Sequence, residues 1–120
     1  MGTRADFYVK NGSELKQSDW LGSISWDGYP IGIDRAVRKA KSVREFKTSL
    51  QEFFDTRNDV TYPKDGWPWP WVDSGTTDYA YVFDKKMKKV HWKQMPYPDM
   101  SKIQNVAGGK RSGLIVIGGV

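Results

Sequence analysis

The stretch "TTDYAYVFDKKMKKVHW", Thr76 to Trp92, decides how the rest of the chain is read. Tyr79, Tyr81 and Phe83 recur with period 2, so an extended chain carries all three rings on one face. Asp84 to Lys88 is polar and turn-like, and Val90 and Trp92 resume the alternation on a returning strand. The segment reads as a β-hairpin with one aromatic face. On the N-terminal side, between Asp34 and Phe54, the period changes to that of a helix. Ile33, Ala36, Val37 and Ala40 share a face in a first piece, and Val43, Phe46, Leu50, Phe53 and Phe54 form a broad apolar stripe in a second. Ser42 followed by Glu45 has the spacing of a capping box, which divides the region into two helices.

Earlier still, "TRADFYVKNGSELKQSDWLGSISWDGYP" reads as two strands. Phe7 and Val9 alternate on the first strand, and Asn11 to Ser13 supplies turn chemistry. Trp20, Ile24 and Trp26 lie at even spacing on the second, which predicts a common face. Asp27-Gly28 ends that strand, and Pro30 turns the chain away from helical geometry just before it. Beyond the hairpin, "MPYPDMSKIQNVAGGKRSG" reads as loop, and "GLIVIGGV" (Gly113 to Val120) as a buried last strand or one that pairs with another subunit. Strand, strand, helix, helix, strand, strand, strand predicts an α+β fold: a largely antiparallel sheet of about five strands with two helices packed on one side. A chain of 120 residues is the usual size of one domain, so residues 1–120 are expected to form one.

Composition removes several classes of function. There is no cysteine, which excludes disulfides, zinc-thiolate sites, iron-sulfur clusters and thiol catalysis, and which fits a reducing cytoplasm. No stretch approaches the roughly 20 apolar residues of a membrane span, and "MGTRADFYVK" has no apolar signal core. The expectation is therefore a cytoplasmic protein with no membrane partner. His91 is the single histidine, so any triad or histidine metal site would have to use it. It lies out of phase with Val90 and Trp92 in a lysine-rich strand, which predicts exposure, and nothing beside it supplies an orienting carboxylate or a nucleophile motif. The carboxylates are scattered singly, and no cofactor is expected.

Charge is the more informative feature. The net charge is +5, and the excess lies mainly in two runs. Asp34 to Lys47 holds six basic residues against two acidic, and Asp84 to Lys93 holds five against one. Such runs are commonly solvated faces, yet they also attract phosphate-bearing partners. "AGGKRSG" (Ala107 to Gly113) is a local candidate for an anion site: glycines free backbone N–H groups, Lys110 and Arg111 add charge, and Ser112 adds a hydroxyl. It lacks Walker spacing, and a basic turn ahead of a terminal strand is the alternative reading.

The loop from Arg57 to Thr76 contains "GWPWPW", Gly66 to Trp71. Trp67 and Trp69 each precede a proline and are driven to extended or polyproline II geometry. A β-like chain would place Trp67, Trp69 and Trp71 on one face, able to stack bases or anchor a partner; polyproline II would splay them about 120° apart, with some rings buried.

Together, "GTRADFYV", "WLGSISWDGYP", "DGWPWPWVDSGTTDYAYVFD" and "PDMSKIQNVAGGKRSGLIVI" resemble a family of small, functionally unassigned proteins of bacterial genomes, prophages and phages. The resemblance implies a setting, binding in the service of a mobile element, with antagonism of a bacterial defence system a common use. Two readings stay open. In the first, Arg4, Arg57, Lys110 and Arg111 contact phosphates of a nucleotide signal or nucleic acid while the loop tryptophans stack on bases, with Ser112 as a further ligand group. In the second, the protein is an inhibitor that docks on a host defence protein, an immune effector such as a CRISPR-Cas component, through the tryptophan loop or the basic helices. A small enzyme acting on phosphate esters or sugars is a third class without a supporting motif. The apolar run near Val120 suggests self-association as a homo-oligomer.

Overall fold

The computed structural model describes residues 2–94. Strand β1 (Ala5–Lys10) leads through a short 3-10 turn into β2 (Trp20–Ile24). Two helices follow, α1 (Arg35–Arg38) and α2 (Val43–Asp55), then β3 (Val60–Thr61), β4 (Tyr79–Asp84) and β5 (Lys89–Gln94). The sheet order is β3-β2-β1-β4-β5, and every pair is antiparallel except the central one, where β1 and β4 run parallel from Ala5↔Tyr79 to Lys10↔Asp84. The expected α+β fold is thus observed, with the two helices on one side of a mostly antiparallel sheet. The short β3, inside the segment whose sequence predicts a loop, makes the fifth strand. The strand read at Gly113 to Val120 lies outside the described residues.

Helix α2 forms where its pattern requires. The Ser42 hydroxyl accepts the Glu45 N–H at 3.0 Å, satisfying one free donor of the first turn. The Glu45 carboxylate reaches back one residue further than a capping box needs, to the Lys41 N–H at 2.8 Å. Phe46, Leu50, Phe53 and Phe54 are buried against Phe7, Val9, Ile24, Tyr81 and Phe83 of the sheet. Each such side chain contributes about 1.5–3 kcal/mol by leaving water, which is what holds the helix on the sheet. Phe7 sits at the centre, stacked on Tyr81 at 5.3 Å and edge-on to Phe54 at 5.5 Å.

One phase prediction fails for a definable reason. Trp20 and Ile24 lie on opposite faces, because the β1–β2 register slips between Phe7 and Tyr8: Phe7 pairs with Gly22, and Tyr8 with Trp20. The skipped residue, Leu21, is a β-bulge, which shifts the side-chain alternation by one. Trp20 therefore packs with Tyr8, Leu15, Ala80 and Val82 on the face away from the helices, while Trp26 falls beyond the strand and is exposed. The bulge is built on Gly22, whose φ of +155° is one that L side chains rarely adopt and whose absent Cβ would stand 2.8 Å from the Phe54 ring.

Replacing Gly22 by alanine should therefore lower stability by about 1–3 kcal/mol, read as a lower denaturant midpoint with unchanged m-value. A midpoint equal to wild type would show that the bulge does not depend on glycine.

Candidate functional site

The face of the sheet away from the helices is covered by the loop between β3 and β4. This corrects the exposure expected for His91. The residue pairs with Val82, whose side chain is in the second core, and His91 is half-buried with its Nε2 out of solvent and without a partner among the described residues. Both faces of the sheet are covered, so a polar neighbour in sequence does not imply water.

Asp6 anchors that covering loop. It is fully buried on β1, and its carboxylate accepts from Ser23 of β2 at 2.6 Å, from Ser74 at 2.6 Å and from the Trp69 indole at 2.7 Å. The Tyr8 hydroxyl, 2.6 Å from Ser74 Oγ, extends the network. Burial pushes the Asp6 carboxyl above its ordinary value; bonds from Ser23, Ser74, Trp69 and Thr77 oppose the rise without cancelling it.

The three tryptophans answer the question of their geometry separately. Trp69 and Trp71 stack side by side at 5.6 Å, as an extended chain places residues two apart. Trp67 turns away, packs edge-on to Trp20 at 5.0 Å and donates its indole N–H to the Trp71 carbonyl at 2.6 Å. Trp71 donates to Thr77 Oγ1 at 2.8 Å. All three are half-buried, and every indole N–H is bonded within the protein. The loop is therefore chiefly a cover for the sheet.

Of the other residues singled out in the sequence, the structure brings Arg4 to this loop. Its guanidinium lies 5.1 Å from the Trp71 ring centroid and 5.8 Å from that of Trp69, and it is held by Asp78 at 3.3 Å. Arg57 is elsewhere, at the entry to β3. It clamps Asp59 in two bonds of 2.7 and 2.8 Å, donates to the Trp26 carbonyl at 2.7 Å and lies over the Phe53 ring. With its side chain 12% exposed, Arg57 is a structural clamp more than a free cation. Burial alone would raise the Asp59 carboxyl, but Arg57 and the N–H groups of Trp26 and Ser25 outweigh it and hold it below its ordinary value. Lys110, Arg111 and Ser112 lie outside the described residues.

Part of the positive charge comes together where the two basic runs of the sequence meet. The end of α1 with the junction to α2 and the β4–β5 turn meet around a groove of about 530 Å³. Its cations are Arg38, Lys39 and Lys41 from one run and Lys88 and Lys89 from the other, and no carboxylate lines it. Among the described residues, ion pairs are formed by Arg4, Arg57 and Lys64, and by none of these five. The four lysines are exposed, while Arg38 is half-buried, tied through Nε to the Ile33 carbonyl at 3.1 Å. The turn is itself constrained: Asp84 accepts the N–H groups of Lys86 and Met87, and Lys88 holds a left-handed φ of +56°. A lysine there costs about 1–2 kcal/mol relative to glycine, a kind of strain that concentrates at functional positions. The signal was present in the two basic runs; what the sequence lacked was the topology that joins them. Among the described residues, no group of three or more histidine or acidic side chains could hold a metal ion, and no helix is long and apolar enough to cross a membrane.

Compared with family models, with curated proteins and with solved structures, the chain matches none.

The raised Asp6 pKa makes stability depend on pH. The unfolded chain ionises first, so the contribution of Asp6 is greatest below the ordinary carboxylate value and declines as pH rises through the folded-state pKa. Asp6→Asn should remove this decline, so its stability relative to wild type should rise with pH in paired denaturation curves. A difference independent of pH would mean that folding leaves the Asp6 carboxyl at its ordinary pKa.

Proposed function

We propose that the protein acts by binding an anionic partner, nucleic acid or another phosphate polymer, through the groove formed by Arg38, Lys39, Lys41, Lys88 and Lys89. The observation that carries this reading is convergence: two basic runs remote from each other in sequence supply one groove with five cations and no carboxylate. Five like charges within one groove repel one another, at a cost to the fold, and a polyanion relieves that repulsion on binding. Binding without turnover is the activity proposed, because the groove has cations to hold phosphate but no general base or nucleophile aimed into it.

The wider setting proposed is a mobile-element protein that antagonises a bacterial defence system by sequestering a nucleotide signal or a nucleic acid. Its support is the resemblance of the aromatic segments described above. A second reading, an inhibitor docking on a defence protein, is supported by a different feature: Trp26, Tyr29 and Ile31 are exposed close together in sequence, with Ile31 87% accessible.

The double variant Lys39→Glu with Lys89→Glu should weaken binding of long-chain inorganic polyphosphate at least about tenfold in calorimetric titration. Lys16→Glu with Lys64→Glu, which changes net charge equally at exposed sites outside the groove, should weaken it far less. Equal losses in the two would show that net charge, not the groove, governs binding.

A further inference from the structure

Trp92 is unlike the tryptophans of the covering loop. It stands on β5, opposite Tyr81 in register, and shares a strand face with Val90, which lines the basic groove. Two residues of strand separate them, roughly 6.5 Å. Trp92 is 44% exposed, yet its ring is not loose: Tyr79 and Tyr81 back it at centroid distances of 6.1 and 6.2 Å, tilted by 51° and 37°. A supported ring with an open side loses little freedom when something planar settles on it. At the turn of the same hairpin, Met87 is 55% exposed and lines the groove among its lysines. The cations are therefore accompanied by two exposed apolar groups, one of them a rigid aromatic.

Phosphate alone has no use for either apolar group, and a duplex keeps its base faces stacked and hidden. Single strands offer phosphates and unstacked bases together, and proteins that bind them combine a basic track with aromatic platforms. We propose that the groove takes single-stranded nucleic acid, with backbone phosphates along Arg38, Lys39, Lys41, Lys88 and Lys89 and a base stacked on Trp92. Met87 supplies a polarizable contact for a neighbouring base. This assignment rests on the polyanion reading above and narrows its partner.

The test is fluorescence anisotropy of the full-length protein with three labelled probes: a 12-nucleotide thymidine strand, a 12-base-pair duplex, and an abasic strand of equal length that keeps the phosphates and lacks the bases. The thymidine strand should bind tightest, and the abasic strand roughly 5- to 100-fold more weakly, as expected for the loss of stacking on one ring. Trp92→Ala should lower affinity for thymidine most of the way to that of the abasic strand and leave abasic affinity unchanged, while Trp92→Phe should retain most of it. The abasic comparison uses wild-type protein, so it stands even if Trp92→Ala fails to fold. Equal affinity for thymidine and abasic strands, or preference for the duplex, overturns the single-strand assignment and leaves the polyanion reading intact. Binding to none of the three, nor to polyphosphate, overturns both.

Discussion

A single buried carboxylate organises the half of the molecule that the helices do not reach. Asp6 is the second residue of the central strand, and its two oxygens accept from neighbouring strand β2, from the Trp69 indole and from Ser74 of the loop that leads into β4. An unpaired charge there would be prohibitive, and an apolar residue would take the acceptor from two buried serine hydroxyls and the half-buried Trp69 indole, a buried donor left unpaired costing about 1–3 kcal/mol. The covering loop, the bulged strand and the entry to β4 are thereby tied to one point. With that face closed, the sheet has aromatic packing on both sides, and Phe7 and Tyr8, adjacent in sequence, each centre a different core.

Closure of both faces leaves the ends and edge of the sheet as its open surface. The tryptophan-proline loop has the composition of a binding surface, yet its indole N–H groups are used internally and Trp67 is committed to Trp20. Arg57 is likewise committed to Asp59 and the Trp26 carbonyl. Uncommitted cations do gather at the lysine-rich end, where the α1–α2 junction meets the β4–β5 turn, and Trp92 stands exposed two residues along β5 from Val90 of that groove. The parallel β1–β4 pair contributes to this arrangement by sending the β4–β5 turn to the end of the sheet where β1 finishes, Lys10 opposite Asp84.

Much of the fold was legible from periodicity. The stripe Phe46, Leu50, Phe53, Phe54 and the alternation Tyr79, Tyr81, Phe83 read directly, because each repeats the geometry of one element. The errors arose where a long-range contact overrides local pattern. Gly22 hides a bulge that separates Trp20 from Ile24, and His91 looked exposed because nothing near it in sequence reveals the loop across the sheet. Of the candidate site, Arg4, Trp69 and Trp71 do meet, as a stacked cluster at the edge of the cover. The basic groove was missed for the same reason as the bulge: its two halves are remote in sequence, and charge alone carries no information about which runs become neighbours.

In the proposed complex several of the five groove cations engage phosphates at once. The most direct measurement is the salt dependence of wild-type affinity for a single-stranded oligonucleotide. Up to five neutralised phosphates predict a slope of log K against log salt approaching about −3.5, from roughly 0.7 per phosphate. A slope near zero would contradict the claim, because binding would then owe nothing to the groove's charge.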